Sequence, residues 1–143
     1  MKIIQLSIFL ENKPGRLAAV TEVLNAANIN IRALSLADTL DFGVLRLVVD
    51  DSARAVKALK ERKISVSETV VSAVQVPDRP GGLHQILEII EKENINLEYM
   101  YSYMSRKKDD AIMILQFEDL ENAERLLGTN GINVLKLQEL HAL

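Results

Sequence analysis

The sequence predicts an α+β protein in which a βαββαβ unit occurs twice, and three observations carry this expectation. The run Asn12-Lys13-Pro14-Gly15-Arg16-Leu17 returns as Asp78-Arg79-Pro80-Gly81-Gly82-Leu83, and Asn28-Ile29-Asn30-Ile31 returns at the same spacing as Asn94-Ile95-Asn96-Leu97. Later anchors keep their order: Val44 to Asp51 matches Ile112 to Asp119, Leu59 matches Leu127, and Ile64 and Val66 match Ile132 and Val134, after a two-residue insertion in the second copy. Within each copy the apolar period alternates between two and 3.6, as a succession of strands and helices requires. Because a polar-Pro-Gly turn and an Asn-bearing strand start are repeated, and not only a hydrophobic pattern, the duplication points to a pair of equivalent sites near a two-fold axis.

Each element has a local reason. Residues 3–10 alternate, with Ile4, Leu6, Ile8 and Leu10 on one face and Gln5 and Ser7 on the other, the pattern of a half-buried strand. Pro14 fits the first turn of a helix, where its missing N–H costs nothing, and Leu17, Val20, Val23, Leu24 and Ala27 follow at helical spacing until Asn28 closes it. Residues 29–37 read as a second strand, 38–43 as a turn, and 44–49 as a third strand with Leu45, Leu47 and Val49 toward a core. Ser52 is the expected N-cap of a second helix carrying Ala55, Val56 and Leu59, and Lys60, Arg62 and Lys63 suit the negative end of its dipole.

The second copy repeats the scheme. Its first strand is 70–76, and its first helix turns Leu83, Ile86, Leu87 and Ile90 inward with Glu88, Glu91 and Lys92 outward. Strands at 95–104 and 111–117 flank a hairpin turn at 106–110. Asp119 caps a helix ending near Gly128, and Gly131 opens the last strand. Residues 65–69 contain neither Gly nor Pro, so no flexible linker separates the copies, and the last strand of the first is expected to run almost directly into the first strand of the second. The boundaries are therefore 1–68 and 69–143. Modules of that size lie near the lower limit for a self-sufficient core and are expected to pack on each other. Two right-handed βαβ crossovers place both helices on one face of a four-stranded antiparallel sheet, the ferredoxin-like plan.

Composition excludes several classes. An apolar content of 48% in 143 residues is globular, and a net charge of −3 gives no electrostatic support for nucleic acid or an anionic membrane. The absence of cysteine removes disulfides and thiolate chemistry. The apolar stretch 3–10 is too short to span a membrane and leads into Glu11-Asn12 where a signal peptide would need small residues, so the cytoplasm is the expected location.

The repeated turn followed by an asparagine at the next strand start resembles the ACT domain, a small-molecule-sensing module of many enzymes of amino-acid metabolism, and the likeness covers each copy from end to end. The resemblance implies two modules side by side in one combined eight-stranded sheet with the helices on one face. It also implies an amino-acid effector bound between them. The ligand-binding residues would be Asn12, Pro14, Gly15, Arg16, Leu17 and Asn30 in the first copy and Asp78, Pro80, Gly81, Gly82, Leu83 and Asn96 in the second, with Asn12 meeting Asn96 and Asp78 meeting Asn30. The chemistry suits the residues. A helix N-terminus offers unpaired N–H groups to a carboxylate, glycine at 15 or 81 leaves the backbone accessible, and the carboxamides of Asn12, Asn30 and Asn96 can both accept and donate, whereas an ionised Asp78 only accepts. The plainer reading of the same residues is helix-start and helix-stop chemistry.

The function expected from this is that of a non-catalytic regulatory or sensor protein, with no catalytic residues, metal ligands or cofactor, acting through a partner such as a biosynthetic enzyme. The resemblance extends to the small regulatory subunits of acetolactate synthase, which look like a single copy, and a homodimer is compatible with it. An alternative is a small ferredoxin-like hydrolase of the acylphosphatase kind, for which Arg16 is the candidate residue, although its counterpart is Gly82 and no nucleophile-base pair accompanies it. RNA binding would rest on Tyr99, Tyr101 and Tyr103, which share a strand face and also suit sheet packing or an oligomer face. His84 has no second metal ligand beside it and reads as a surface histidine able to line the pocket next to Gly81, and His141 falls in a tail expected to fray.

Overall fold

A computed structural model describes residues 2–38, 41–105 and 110–143, so the expected hairpin turn at 106–110 falls outside the described residues except for Asp110. The chain divides into two compact units, one of residues Ile4–Thr69 and one of Val70–Leu143 together with the amino-terminal residues up to Ile3.

The first unit is built from β1 (Ile3–Glu11), α1 (Arg16–Ala26), β2 (Ile31–Asp38), β3 (Phe42–Val49) and α2 (Ser52–Glu61). β3 lies between β1 and β2, antiparallel to both, with Leu6 opposite Leu47, Ile8 opposite Leu45, and Leu36 opposite Leu45. Leu6, Ile8, Leu45 and Leu47 put one sheet face against Val20, Val23 and Leu24 of α1 and Ala55 and Leu59 of α2, forming a single buried cluster, while Leu36 lies outside it and is half exposed. α1 starts at Arg16, two residues later than Pro14 would place it, because Gly15 is left-handed (φ 86°, ψ −11°) and serves as the cap. Asn28 stops the helix at φ 56°, and the N–H of Ile29 then donates to the Leu24 carbonyl at 2.9 Å. The cap of α2 is Asp51 rather than Ser52. Its carboxylate accepts the N–H of Arg54 at 3.1 Å, so the charged side chain takes the position a serine hydroxyl was expected to fill.

The second unit contains β4 (Ser67–Pro77, its first three residues belonging to the first unit), α3 (Gly82–Lys92), β5 (Leu97–Tyr103), β6 (Asp110–Phe117), α4 (Leu120–Thr129), β7 (Val134–Leu135) and α5 (Leu137–His141). β6 pairs with both β4 and β5, and β7 lies on β4, all antiparallel. Val74, Val76, Ile86, Ile90, Leu115, Phe117, Ala123 and Leu127 form its core. The Asp119 cap is as expected, accepting the N–H of Asn122 at 3.3 Å. α5 was not foreseen. Leu140 within it is fully buried and its carbonyl accepts the Tyr103 hydroxyl at 3.3 Å, so only the exposed end of this segment, His141 included, resembles the expected tail.

The expected open, eight-stranded sheet with all helices on one face is not what forms. The described residues hold seven strands, and they make a closed sheet, not an open one. One physical cause lies in residues 65–69, where nothing breaks the chain. The strand expected to end the first copy does not stand apart, and β4 is one continuous strand of 11 residues. A second is burial on the face away from the helices. Gln5, expected to face solvent, is fully buried together with Ala33 and Val48 in the first unit, and Ala73, Tyr101, Tyr103, Ile112 and Ile114 are buried in the second. The second face of β1 is therefore covered at its start, at Ile3 and Gln5, and opens toward Phe9, which is exposed.

Candidate functional site

The two repeated turns have the same backbone. After β1, the Lys13 N–H donates to the Glu11 carbonyl at 2.8 Å and the Ala19 N–H to that of Gly15 at 3.0 Å; after β4, Arg79 donates to Pro77 at 2.9 Å and Gln85 to Gly81 at 3.0 Å. Gly81 repeats the conformation of Gly15 at φ 86°, ψ −8°, and no side chain caps either helix. Leucines and their neighbours in the first turn, Leu17 and Ala18 in α1 and Leu83 and His84 in α3, thus present N–H groups without an intrahelical acceptor at the positive end of a helix dipole.

Side chains separate the two turns. At the first, a cleft of about 320 Å³ is lined by Leu10, Glu11, Asn12, Lys13, Arg16, Leu17, Leu36, Ala37, Asp38 and Gly43. Its floor is a row across three strands, Leu10 opposite Gly43 and Gly43 opposite Asp38, in which the middle residue has no side chain. A β-carbon on Gly43 would stand 3.2 Å from the Leu36 Cδ1, so the glycine holds open the space next to Leu36. Glu11 sits between two cations, 3.1 Å from the Lys13 Nζ and 3.8 Å from an Arg16 guanidinium nitrogen. The hydrogen bond and charge of Lys13, with Arg16 behind them, hold its carboxyl below the usual carboxylate range. At the second turn Gly82 replaces Arg16. It is buried, and a β-carbon there would lie 2.1 Å from the Pro77 carbonyl oxygen, so the start of α3 sits directly on the end of β4.

Asn30 and Asn96 do not join the turns of their own units. Asn30 precedes β2, where its N–H donates to the Asp50 carboxylate at 3.1 Å and its carbonyl accepts from the Asp50 N–H at 3.1 Å; the carbonyl of Asn96 accepts from the Glu118 N–H at 3.0 Å. The first turn lies by the opposite end of β2, next to Asp38, a strand length of about 25 Å away at ~3.3 Å per residue. Sequence reading missed Leu10, Glu11, Lys13, Leu36, Ala37, Asp38 and Gly43 as lining residues. Glu11 and Lys13 flank the motif, and Gly43 is a strand-interior glycine, itself a sign of close approach or an opening. The other candidates are placed plainly. His84 is exposed and pairs with Glu88 at 3.2 Å on the outer face of α3, and no group of three or more His, Asp or Glu able to hold a metal occurs among the described residues. Tyr101 and Tyr103 are buried, so they are not a platform on which bases could stack. No helix of the described residues is long and apolar enough to cross a membrane.

Two compact units, each with the same glycine-capped turn at the start of a helix, define a duplicated α+β module. The chain matches the ACT domain pair family over residues 1–143 and belongs to it. Among solved structures, protein BT0572 from Bacteroides thetaiotaomicron is 38% identical, with a TM-score of 0.92 over 100% of this chain and 98% of that one. The regulatory subunit of aspartate kinase from Thermus thermophilus, in its ligand-free form, shares the fold at 16% identity and a TM-score of 0.66, covering 90% of this chain and 93% of that one. Aspartokinase alpha and beta subunits do so at 18% identity and 0.63, over 90% and 91%. None of the curated proteins matches the chain.

Proposed function

We propose that this protein is a non-catalytic regulator that binds an amino-acid effector at its glycine-capped turns and acts through a separate partner enzyme. The observation that carries the reading is the cleft at the first turn, where free helix N–H groups, two cations and two carboxylates converge on a space of about 320 Å³ in a chain of the ACT domain pair family. That volume lies at the small end of the range of roughly 300–1,000 Å³ for small-molecule pockets, which suits a metabolite of amino-acid size. The proposed ligand residues are Asn12, Pro14, Gly15, Arg16, Leu17 and Asn30 from module 1–68, and Asp78, Pro80, Gly81, Gly82, Leu83 and Asn96 from module 69–143. That Asn30 stands a strand length from the turn of its own unit supports a site which each asparagine completes with the turn of another copy of the fold.

Regulation through a partner is supported by a structure of similar fold, the regulatory subunit of aspartate kinase from Thermus thermophilus. A thermal-shift screen against the common amino acids tests the proposal. An effector at 100 times its dissociation constant adds about 2.7 kcal/mol per site, a shift of several degrees. No shift with any of them would remove the reading.

A further inference from the structure

Beyond the presence of an effector, the lining of the first cleft distinguishes among amino acids, and the second copy lacks the residues that make it. We propose that the first turn binds one net-neutral α-amino acid with an aliphatic side chain per chain of protein, an inference that rests on the amino-acid-binding reading above. The charged lining is balanced, with Lys13 and Arg16 against Glu11 and Asp38, so it matches the two charges of a zwitterion and leaves no uncompensated charge for a charged side chain. The carboxylate goes to the Leu17 and Ala18 N–H groups with Arg16 beside them, and the ammonium to Glu11 and Asp38. What remains of the lining is Leu10, Leu17, Leu36, Ala37 and the bare floor at Gly43. Leu36 is 51% exposed, so an aliphatic side chain over it removes apolar surface of both partners from water.

The corresponding positions of the second copy are built otherwise. Ser102 stands for Leu36, Tyr103 for Ala37, Met104 for Asp38, Ala111 for Gly43 and Gly82 for Arg16. Tyr103 is buried with its hydroxyl on Leu140, and Gly82 lies against the Pro77 carbonyl. The wall at Leu36, the open floor, one cation and both lining carboxylates, with Pro77 standing for Glu11 and Met104 for Asp38, are thus absent from the second turn, which assigns an aliphatic effector to the first turn alone.

Calorimetry on the full chain with leucine, isoleucine, valine, alanine, aspartate and lysine tests this. The branched aliphatic amino acids are expected to bind at one per chain, with alanine weaker by on the order of tenfold or more for its missing methyl groups. Leu36→Asp, on a half-exposed side chain, is expected to keep the melting curve and weaken leucine at least tenfold, whereas Gly43→Val fills the floor and abolishes binding. Preference for aspartate or lysine, two equivalents per chain, or an unchanged affinity in Leu36→Asp would overturn the inference while leaving amino-acid binding intact. No binding by any amino acid would overturn the underlying reading with it.

Discussion

In the first unit the chain passes through Gly15 into Arg16, an exposed side chain paired with Glu11; in the second it passes through Gly81 into Gly82, buried against the carbonyl of Pro77. The two turns share their backbone dihedral angles and their hydrogen bonds, yet one borders a cleft and the other brings helix and strand into direct contact. The difference shows that the Pro-Gly motif specifies how the helix begins. The space beside that start is decided by the next residue and by the strand residues facing it, Leu36, Asp38 and Gly43 in one case and Ser102, Met104 and Ala111 in the other.

The comparison is broken most severely by exchanging the residues after the capping glycines. Gly82→Arg places a β-carbon into a backbone carbonyl that cannot move without shifting β4 and is expected to cost about 3 kcal/mol or more. Arg16→Gly, at an exposed first-turn position, should cost less than about 1 kcal/mol. Urea denaturation of the two variants checks the contrast, and equal losses would mean that the turns are packed alike.

The capping glycines themselves should behave as a matched pair. Valine at Gly15 or Gly81 is forced to φ 86°, which costs about 1–2 kcal/mol in each, and neither site has any atom within 4 Å of the new β-carbon to add a packing penalty. Stability losses that agree between the two, with effector binding lost in Gly15→Val, would sharpen the division between a shared backbone and an unshared pocket. The helix caps offer a second matched pair. Asp51→Ala and Asp119→Ala each remove one carboxylate acceptor from a first-turn N–H and should each cost about 1 kcal/mol in thermal denaturation.

Much of this fold was legible because its signals are local. Asn28 and Asn94 stop helices by adopting left-handed backbone, Asp119 caps α4, and Leu45, Leu47 and Val49 alternate on one buried face, each a property of a few consecutive residues. Closure of the sheet was not legible, since alternation in a strand cannot say whether its polar face is covered. Gln5 and Ser7 looked like a wet face, yet Gln5 is buried and donates to the Ser7 hydroxyl at 3.2 Å. The candidate site divides in the same way. The turn residues announced themselves by repetition, while Leu36, Asp38 and Gly43 are brought to the turn by strand register and are not repeated in the second copy.

The smallest expected effect concerns a charge cluster found in only one turn. Glu11 has Pro77 as its counterpart, so the acid between Lys13 and Arg16 belongs to the first unit alone. Its hydrogen bond with Lys13 and the nearby positive charges lower its folded-state pKa relative to the unfolded chain. A depressed carboxyl pKa contributes stability that is complete above the unfolded value and disappears as the pH falls through the folded one. All the groups are exposed, so the contribution is small and screened by salt. Accordingly, Glu11→Gln should differ from the parent chain at neutral pH and low ionic strength, and the two should converge in acid and in high salt. Following the Glu11 side-chain carbonyl resonance by NMR reads the same quantity directly, with a midpoint below the ordinary glutamate value. A midpoint in the ordinary glutamate range would mean that Lys13 and Arg16 do not hold Glu11 in solution, and that both cations stand free of it at the mouth of the cleft.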